Sequence, residues 1–118
     1  MSESYKLGKE GEQIAVSFLK KKNYKILDLN FRFQKAEIDI VAEVKNTLVI
    51  VEVKTRTSDY TPIESSINDK KLKLITLAAN EYLIRNKINL ETRFDIIYII
   101  KKINTTDIKH IKNAFVAF

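Results

Sequence analysis

Residues 37–55 read EIDIVAEVKNTLVIVEVKT, two β-rich runs joined by a short polar connection. Glu37–Val44 and Leu48–Thr55 are dense in branched apolar residues, and Lys45, Asn46 and Thr47 between them are few enough for a hairpin. Leu48 to Val51 is apolar at every position, which predicts a strand covered on both faces at the centre of a sheet. A turn carried by Lys45 and Asn46 sets Val44 against Thr47, and pairing outward from there puts Asp39 directly across from Glu52. A three-residue turn would flip the register and separate them.

Outward from this hairpin the pattern changes period. From Lys9 to Lys22, Gly11, Ile14, Ala15, Phe18 and Leu19 recur at helical spacing, and Lys20, Lys21 and Lys22 suit a helix C-terminus. Tyr24–Phe33 is rich in aromatic and branched residues and reads as a strand. Asp59–Ile63, with the only proline at Pro62, reads as a loop. Ser66-Ile67-Asn68-Asp69 has the form of a capping box, and Ile67, Leu74, Ala78 and Tyr82 carry a second helix to about Arg85. Arg93–Lys101 and Asp107–Ile111 read as closing strands around a turn at Lys102–Thr106. The order α-β-β-β-α-β-β predicts an α/β fold, a mixed sheet flanked by helices, with all 118 residues in one domain and neither repeat nor linker.

Composition removes several kinds of chemistry. There is no cysteine, so thiol nucleophiles, disulfides and cysteine-held metals are out, and a reducing, cytoplasmic address is the expectation. No apolar run approaches a membrane span, and no membrane partner is expected. Two glycines, Gly8 and Gly11, cannot build a phosphate-cradling loop. The single histidine, His110, has no matching nucleophile and reads as a surface or packed imidazole. A net charge of +6 favours polyanionic partners, although lysines also serve simply to solvate a surface.

Carboxylate chemistry remains. Opposed residues on one hairpin face have Cβ atoms about 4.5–5.5 Å apart, close enough for Asp39 and Glu52 to share one divalent ion. Glu52 and Lys54 lie on the same face, roughly 7 Å apart along the strand. An acid and a base at the end of an apolar central strand carry a desolvation cost unless paired or metal-bound. The same register sets Glu37 opposite Lys54, so a cross-strand ion pair at a solvated sheet end is the competing reading.

An Asp on one strand followed by Glu52-Val53-Lys54 on the next resembles the PD-(D/E)XK, restriction-endonuclease-like superfamily. The chain is more narrowly similar to the YraN-like family of bacterial predicted endonucleases, through Gly8-Lys9-Glu10-Gly11-Glu12 with Ala15, Asn30 with Arg32, Glu37-Ile38-Asp39, Val51 to Arg56, Lys70, Ala78, Arg93-Phe94-Asp95 and Asn113-Ala114-Phe115. Ala36 stands where that family commonly has glycine, and Ile38 replaces the superfamily's proline. The resemblance implies a metal-dependent hydrolase of phosphodiesters in DNA, including structured DNA such as junctions or repair intermediates. Its alternative is a non-catalytic nucleic-acid-binding module on the same scaffold. Asp39, Glu52 and the Val53 carbonyl are then the expected ligands of magnesium or manganese, and Lys54 the residue that positions or deprotonates water. Glu12 resembles a first-helix glutamate of archaeal junction resolvases, with a plain surface acid as the other reading. Arg32, Arg56, Lys70, Lys71 and Lys73 are the expected contacts to the nucleic-acid backbone. A homodimer would suit two-strand cleavage, with the apolar Ala114–Phe118 either at an interface or closing the core.

Overall fold

The hairpin forms as the pattern requires. The computed structural model describes residues 2–57 and 68–115. Strands β2 (Ala36–Val44) and β3 (Thr47–Arg56) are antiparallel, and Lys45 and Asn46 take left-handed φ values of 47° and 61°, as a two-residue turn matched to strand twist demands. The register runs from Val44 against Thr47 to Ile40 against Val51, where the ladder ends one pair short of Asp39 and Glu52.

Around it stand α1 (Glu3–Lys21), β1 (Lys25–Phe33), α2 (Asp69–Arg85), β4 (Glu91–Lys101) and β5 (Thr106–Ile111). The sheet order is β1-β2-β3-β4-β5, with β3 and β4 parallel and every other pair antiparallel. A parallel pair needs a crossover, and α2 supplies it. This is the α-β-β-β-α-β-β arrangement of the restriction-endonuclease-like fold.

Both faces of β3 are covered, which explains its unbroken apolar run. Leu48 and Ile50 pack with Ile75, Ala78, Ala79 and Tyr82 of α2, whereas Val49 and Val51 pack with Ala15 and Leu19 of α1. The α2 stripe falls at i, i+3, i+4 and i+7, one face of a helix. Helix α1 begins at Glu3 rather than Lys9, because Ser2 caps it by accepting from the Tyr5 amide at 3.2 Å. Helix α2 is capped at Asn68, whose Oδ1 accepts from the Lys71 amide at 2.9 Å. Ser66, Ile67 and the Asp59–Ile63 loop lie outside the described residues. At the other end, Phe115 stacks on Phe94 with centroids 5.2 Å apart and joins the α2-side core, so the first part of the Ala114–Phe118 run closes the core.

Gly11 sets the closest approach of α1 to the sheet. A Cβ built there would stand 1.8 Å from the Thr55 Oγ1. Gly11→Ala gains about 1 kcal/mol in helix propensity, but it pushes α1 off β3. We expect a net loss of about 1–3 kcal/mol, as for other overpacked sites, read from urea unfolding. Adding Thr55→Ala should recover part of it; an unchanged midpoint for Gly11→Ala would mean that the contact is not tight.

Candidate active site

Beyond Val51 the β2–β3 ladder stops while β3 continues beside β4, from Glu52 against Ile96 to Arg56 against Ile100. Groups on the β2 side of β3 are thereby released from pairing. Asp39 uses one of them: its Oδ2 accepts from the Val53 amide at 2.8 Å. In an extended strand the N–H and C=O of one residue point to the same neighbour, so the Val53 carbonyl faces this side as well.

Glu52 and Lys54 follow Leu48 and Ile50 on the α2 side by simple alternation. Glu52 is buried, and its Oε2 accepts from Lys54 Nζ at 3.4 Å and, more closely, from Lys71 Nζ on the first turn of α2. Asp39 and Glu52 line one cleft of about 310 Å³ with Lys35, Glu37 and Lys71, floored by Leu74 and Ile75. The expected trio therefore gathers. The competing pair of Glu37 with Lys54 does not form, because Glu37 turns to Arg32, 3.2 Å away across β1.

The electrostatics follow from burial. Loss of water, and then the nearby Glu52 carboxylate, push the Asp39 carboxyl up to about 8, against the opposing pull of the Val53 amide. With two acids in one site, keeping the proton on Asp39 relieves their mutual repulsion. Burial, followed by the adjacent Lys71, moves Lys54 below the ordinary lysine range. Lys71 is held above it, since its bonds to Glu52 and Lys54 outweigh the opposing effect of burial. The two lysines thus divide: Lys71 carries the charge that faces Glu52, and Lys54 gives up its proton more readily.

Because Asp39 is ordinary in the unfolded chain, it favours folding most below pH 3.8, and this contribution is lost as pH rises toward about 8. Asp39→Asn is expected to flatten the fall in stability over that window and to raise stability near pH 8, measured by urea titrations at several pH values. An unaltered pH dependence would contradict the raised carboxyl.

The other expected residues are more scattered. Glu12 lies on α1, at the opposite face of the sheet, where its Oε1 accepts from Asn30 Nδ2 at 3.1 Å and lies 3.7 Å from Lys9 Nζ. Its charge still reaches Asp39 and adds to the upward push on that carboxyl. Among the described residues no three Asp, Glu, His or Cys side chains gather as one ligand set, so the pair Asp39 and Glu52 stands without Glu12 in direct reach. Arg32 is exposed and tied to Glu37, and Arg56 donates to the Thr55 carbonyl at 2.9 Å. Lys70 and Lys73 are exposed on the first turns of α2. Lys71, expected as a contact to the nucleic-acid backbone, pairs with Glu52 in the cleft; its place on the first turn of a helix capped by Asn68 is the only sequence signal for this.

A second polar cluster was not foreseen. Asp95 on β4 is fully buried and accepts from Arg93 Nε and Nη2, both at 2.9 Å, and from the Asn113 amide at 3.1 Å. His110 Nε2 lies 2.8 Å from its Oδ2, and Arg93 Nη2 also donates to the Tyr24 hydroxyl at 2.8 Å. His110 is thus the packed imidazole of the two readings, with the Phe18 ring edge-on at 5.9 Å. No helix of the described residues is long and apolar enough to cross a membrane.

The family described as Uncharacterised protein family UPF0102 matches residues 11–99. A UPF0102 protein of Flavobacterium psychrophilum is 49% identical over 119 residues, covering 100% of both chains. One of Christiangramia forsetii is 44% identical over 119 residues at the same coverage. One of Persephonella marina is 46% identical over 110 residues, covering 92% of this chain and 91% of its own.

Proposed function

The chain belongs to the UPF0102, YraN-like family, and from that premise we propose that it is a metal-dependent nuclease that hydrolyses phosphodiester bonds in DNA. The observation that carries this reading is the meeting of Asp39 and Glu52 in one cleft, with Lys54 3.4 Å from Glu52, at the point where the β2–β3 ladder opens. Two carboxyl groups brought together in a desolvated cleft are a pair whose repulsion a divalent cation relieves. The donors are hard oxygens, which suit magnesium or manganese, and magnesium is commonly held by one or two carboxylates and completed by water. Asp39, Glu52 and the Val53 carbonyl are the groups that would hold it. When bound, the ion supplies Lewis acidity and a more acidic water.

The chain's own groups supply the rest. Lys54, lowered by burial and by Lys71, orients the attacking water and takes its proton. Lys71, already charged and on the rim of the cleft, offsets negative charge on the phosphate. Lys35, Lys70, Lys73, Arg32 and Arg56 add to the positive field, and their contacts with phosphates give affinity rather than base specificity.

One observation favours the second reading, a nucleic-acid-binding module that does not cut: Lys71 already neutralises Glu52, the charge a metal would need. A single experiment separates them. Labelled single strands, duplexes, flaps and four-way junctions are incubated with the protein in magnesium and in manganese, and cleavage and binding are scored together. Metal-dependent cleavage supports the nuclease and identifies the DNA structure preferred. Salt-sensitive binding without cleavage in either metal supports the module.

A further inference from the structure

Asn30 lies inside β1 and yet takes φ 52°, in the left-handed region. Among the described residues it is the only non-glycine residue of this kind within a strand; Asn23, Gln34, Lys45, Asn46, Lys87 and Asn113 all lie between or beyond the elements. Asparagine adopts this conformation at lower cost than most L-residues.

Strand pairing lapses at the same level. The β1–β2 ladder passes from Leu29 against Ile40 to Phe31 against Ile38, and the residues between, Asn30 and Asp39, are not paired. On the other side of β2 the ladder ends at Ile40 against Val51. Face alternation lapses there too. Ile38 joins the α2-side core, whereas Ile40 and Ala42, which regular pleating would place with it, join the α1-side core. In β1, successive residues Leu29 and Asn30 both line a hollow beside Lys9, Glu12 and Gln13 of α1. Both ends of the Asn30 carboxamide are engaged there: Nδ2 donates to Glu12 Oε1 at 3.1 Å and Oδ1 accepts from Lys9 Nζ at 3.3 Å.

We propose that Asn30 is a positioning residue for the metal centre put forward above, acting in two ways. Its left-handed backbone makes the joint break through which Asp39 leaves the ladders and reaches the Val53 amide. Its carboxamide, with Lys9, fixes Glu12 beside that break as an outer carboxylate whose field acts on the cation. The second part rests on the metal-nuclease reading; the first does not.

Three variants of the full chain separate backbone from side chain. Asn30→Gly keeps the left-handed conformation and removes the carboxamide; Asn30→Ala removes both; Glu12→Gln removes the charge that Asn30 holds. The Val53 amide resonance reports the Asp39 contact, and calorimetric titration with manganese reports the site. We expect Asn30→Gly to leave the Val53 resonance near its wild-type position and to weaken manganese binding about tenfold, the lower end for loss of a supporting residue. Asn30→Ala should displace the Val53 resonance as well. The double variant Asn30→Gly with Glu12→Gln should bind no more weakly than Glu12→Gln alone, since Asn30 acts through Glu12.

A Val53 resonance unmoved in Asn30→Ala, or wild-type manganese affinity in Asn30→Gly, overturns the proposal, as does additivity in the double variant. If the wild-type protein itself takes up no manganese, the metal reading fails together with the role given to Glu12. The Val53 comparison between Asn30→Gly and Asn30→Ala then still decides whether Asn30 makes the break.

Discussion

Lys54→Ala is expected to lower metal-supported cleavage by about 10²–10⁴-fold, the range supplied by a positioned proton-transfer group. The lysine is half-buried at the end of β3, 3.4 Å from Glu52, and held below its ordinary range by burial and by Lys71. Removing it leaves both carboxylates in place, so metal uptake should persist while turnover falls. Lys54→Arg tests the role more sharply. Arginine keeps the charge but does not lose its proton in proteins, so it rescues a purely electrostatic lysine and fails to rescue a base. Asp39→Ala should remove metal uptake and cleavage together. Wild-type rates for Lys54→Ala in single-turnover assays would remove the lysine from the mechanism.

The largest effect on stability should come from Asp95→Ala, beside Val51 but on the opposite face of the sheet from the cleft. Asp95 is fully buried, and its carboxylate ties Arg93, His110 and the Asn113 amide together, linking β4 to β5 and to the chain beyond it. Burial works to raise this carboxyl, but the bonds from His110, Arg93 and Asn113 prevail and hold it below the usual carboxylate range. Truncation leaves the Arg93 guanidinium without its counter-charge, and breaking one partner of a buried pair costs about 3–5 kcal/mol. For a chain of this size that is a fall of about 10–20 °C in melting temperature.

The sign of the pH dependence is opposite to that of Asp39. Stability contributed by Asp95 is present above pH 3.8, the ordinary aspartate value, and is lost as pH falls below it. Asp95→Asn should therefore remove part of the acid sensitivity of the wild-type protein, in melts followed by circular dichroism. A melting temperature within a degree or two of wild type for Asp95→Ala would show that the network is dispensable.

Much of this architecture was legible in the chain. The β-rich runs, the short connection at Lys45, Asn46 and Thr47 and the unbroken apolar run Leu48–Val51 specified a central hairpin, and its register followed once the turn was carried by Lys45 and Asn46. The helical stripes of α1 and α2 were equally plain, since apolar residues at i, i+3 and i+4 cannot be satisfied by a strand. The trio Asp39, Glu52 and Lys54 followed from that register and from the family resemblance. Helix starts were harder. Glu3–Gly8 carries little apolar periodicity and is helical because Ser2 caps it.

What local pattern determined about this protein was the number, kind and order of its elements, and which strand is central, because those depend on the spacing of apolar residues a few positions apart. What only the tertiary structure decided was how charges meet once the elements have packed. Lys71 reaches Glu52 because α2 crosses over β3, Asn113 and His110 reach Asp95 because β5 returns beside β4, and Glu12 reaches Asn30 because α1 lies across β1. The ladder that carries Asp39 toward Glu52 stops one pair early, at a break shared with Asn30 on the neighbouring strand. Such contacts join residues distant in sequence, and the burial that makes them matter exists only after the chain has closed around them.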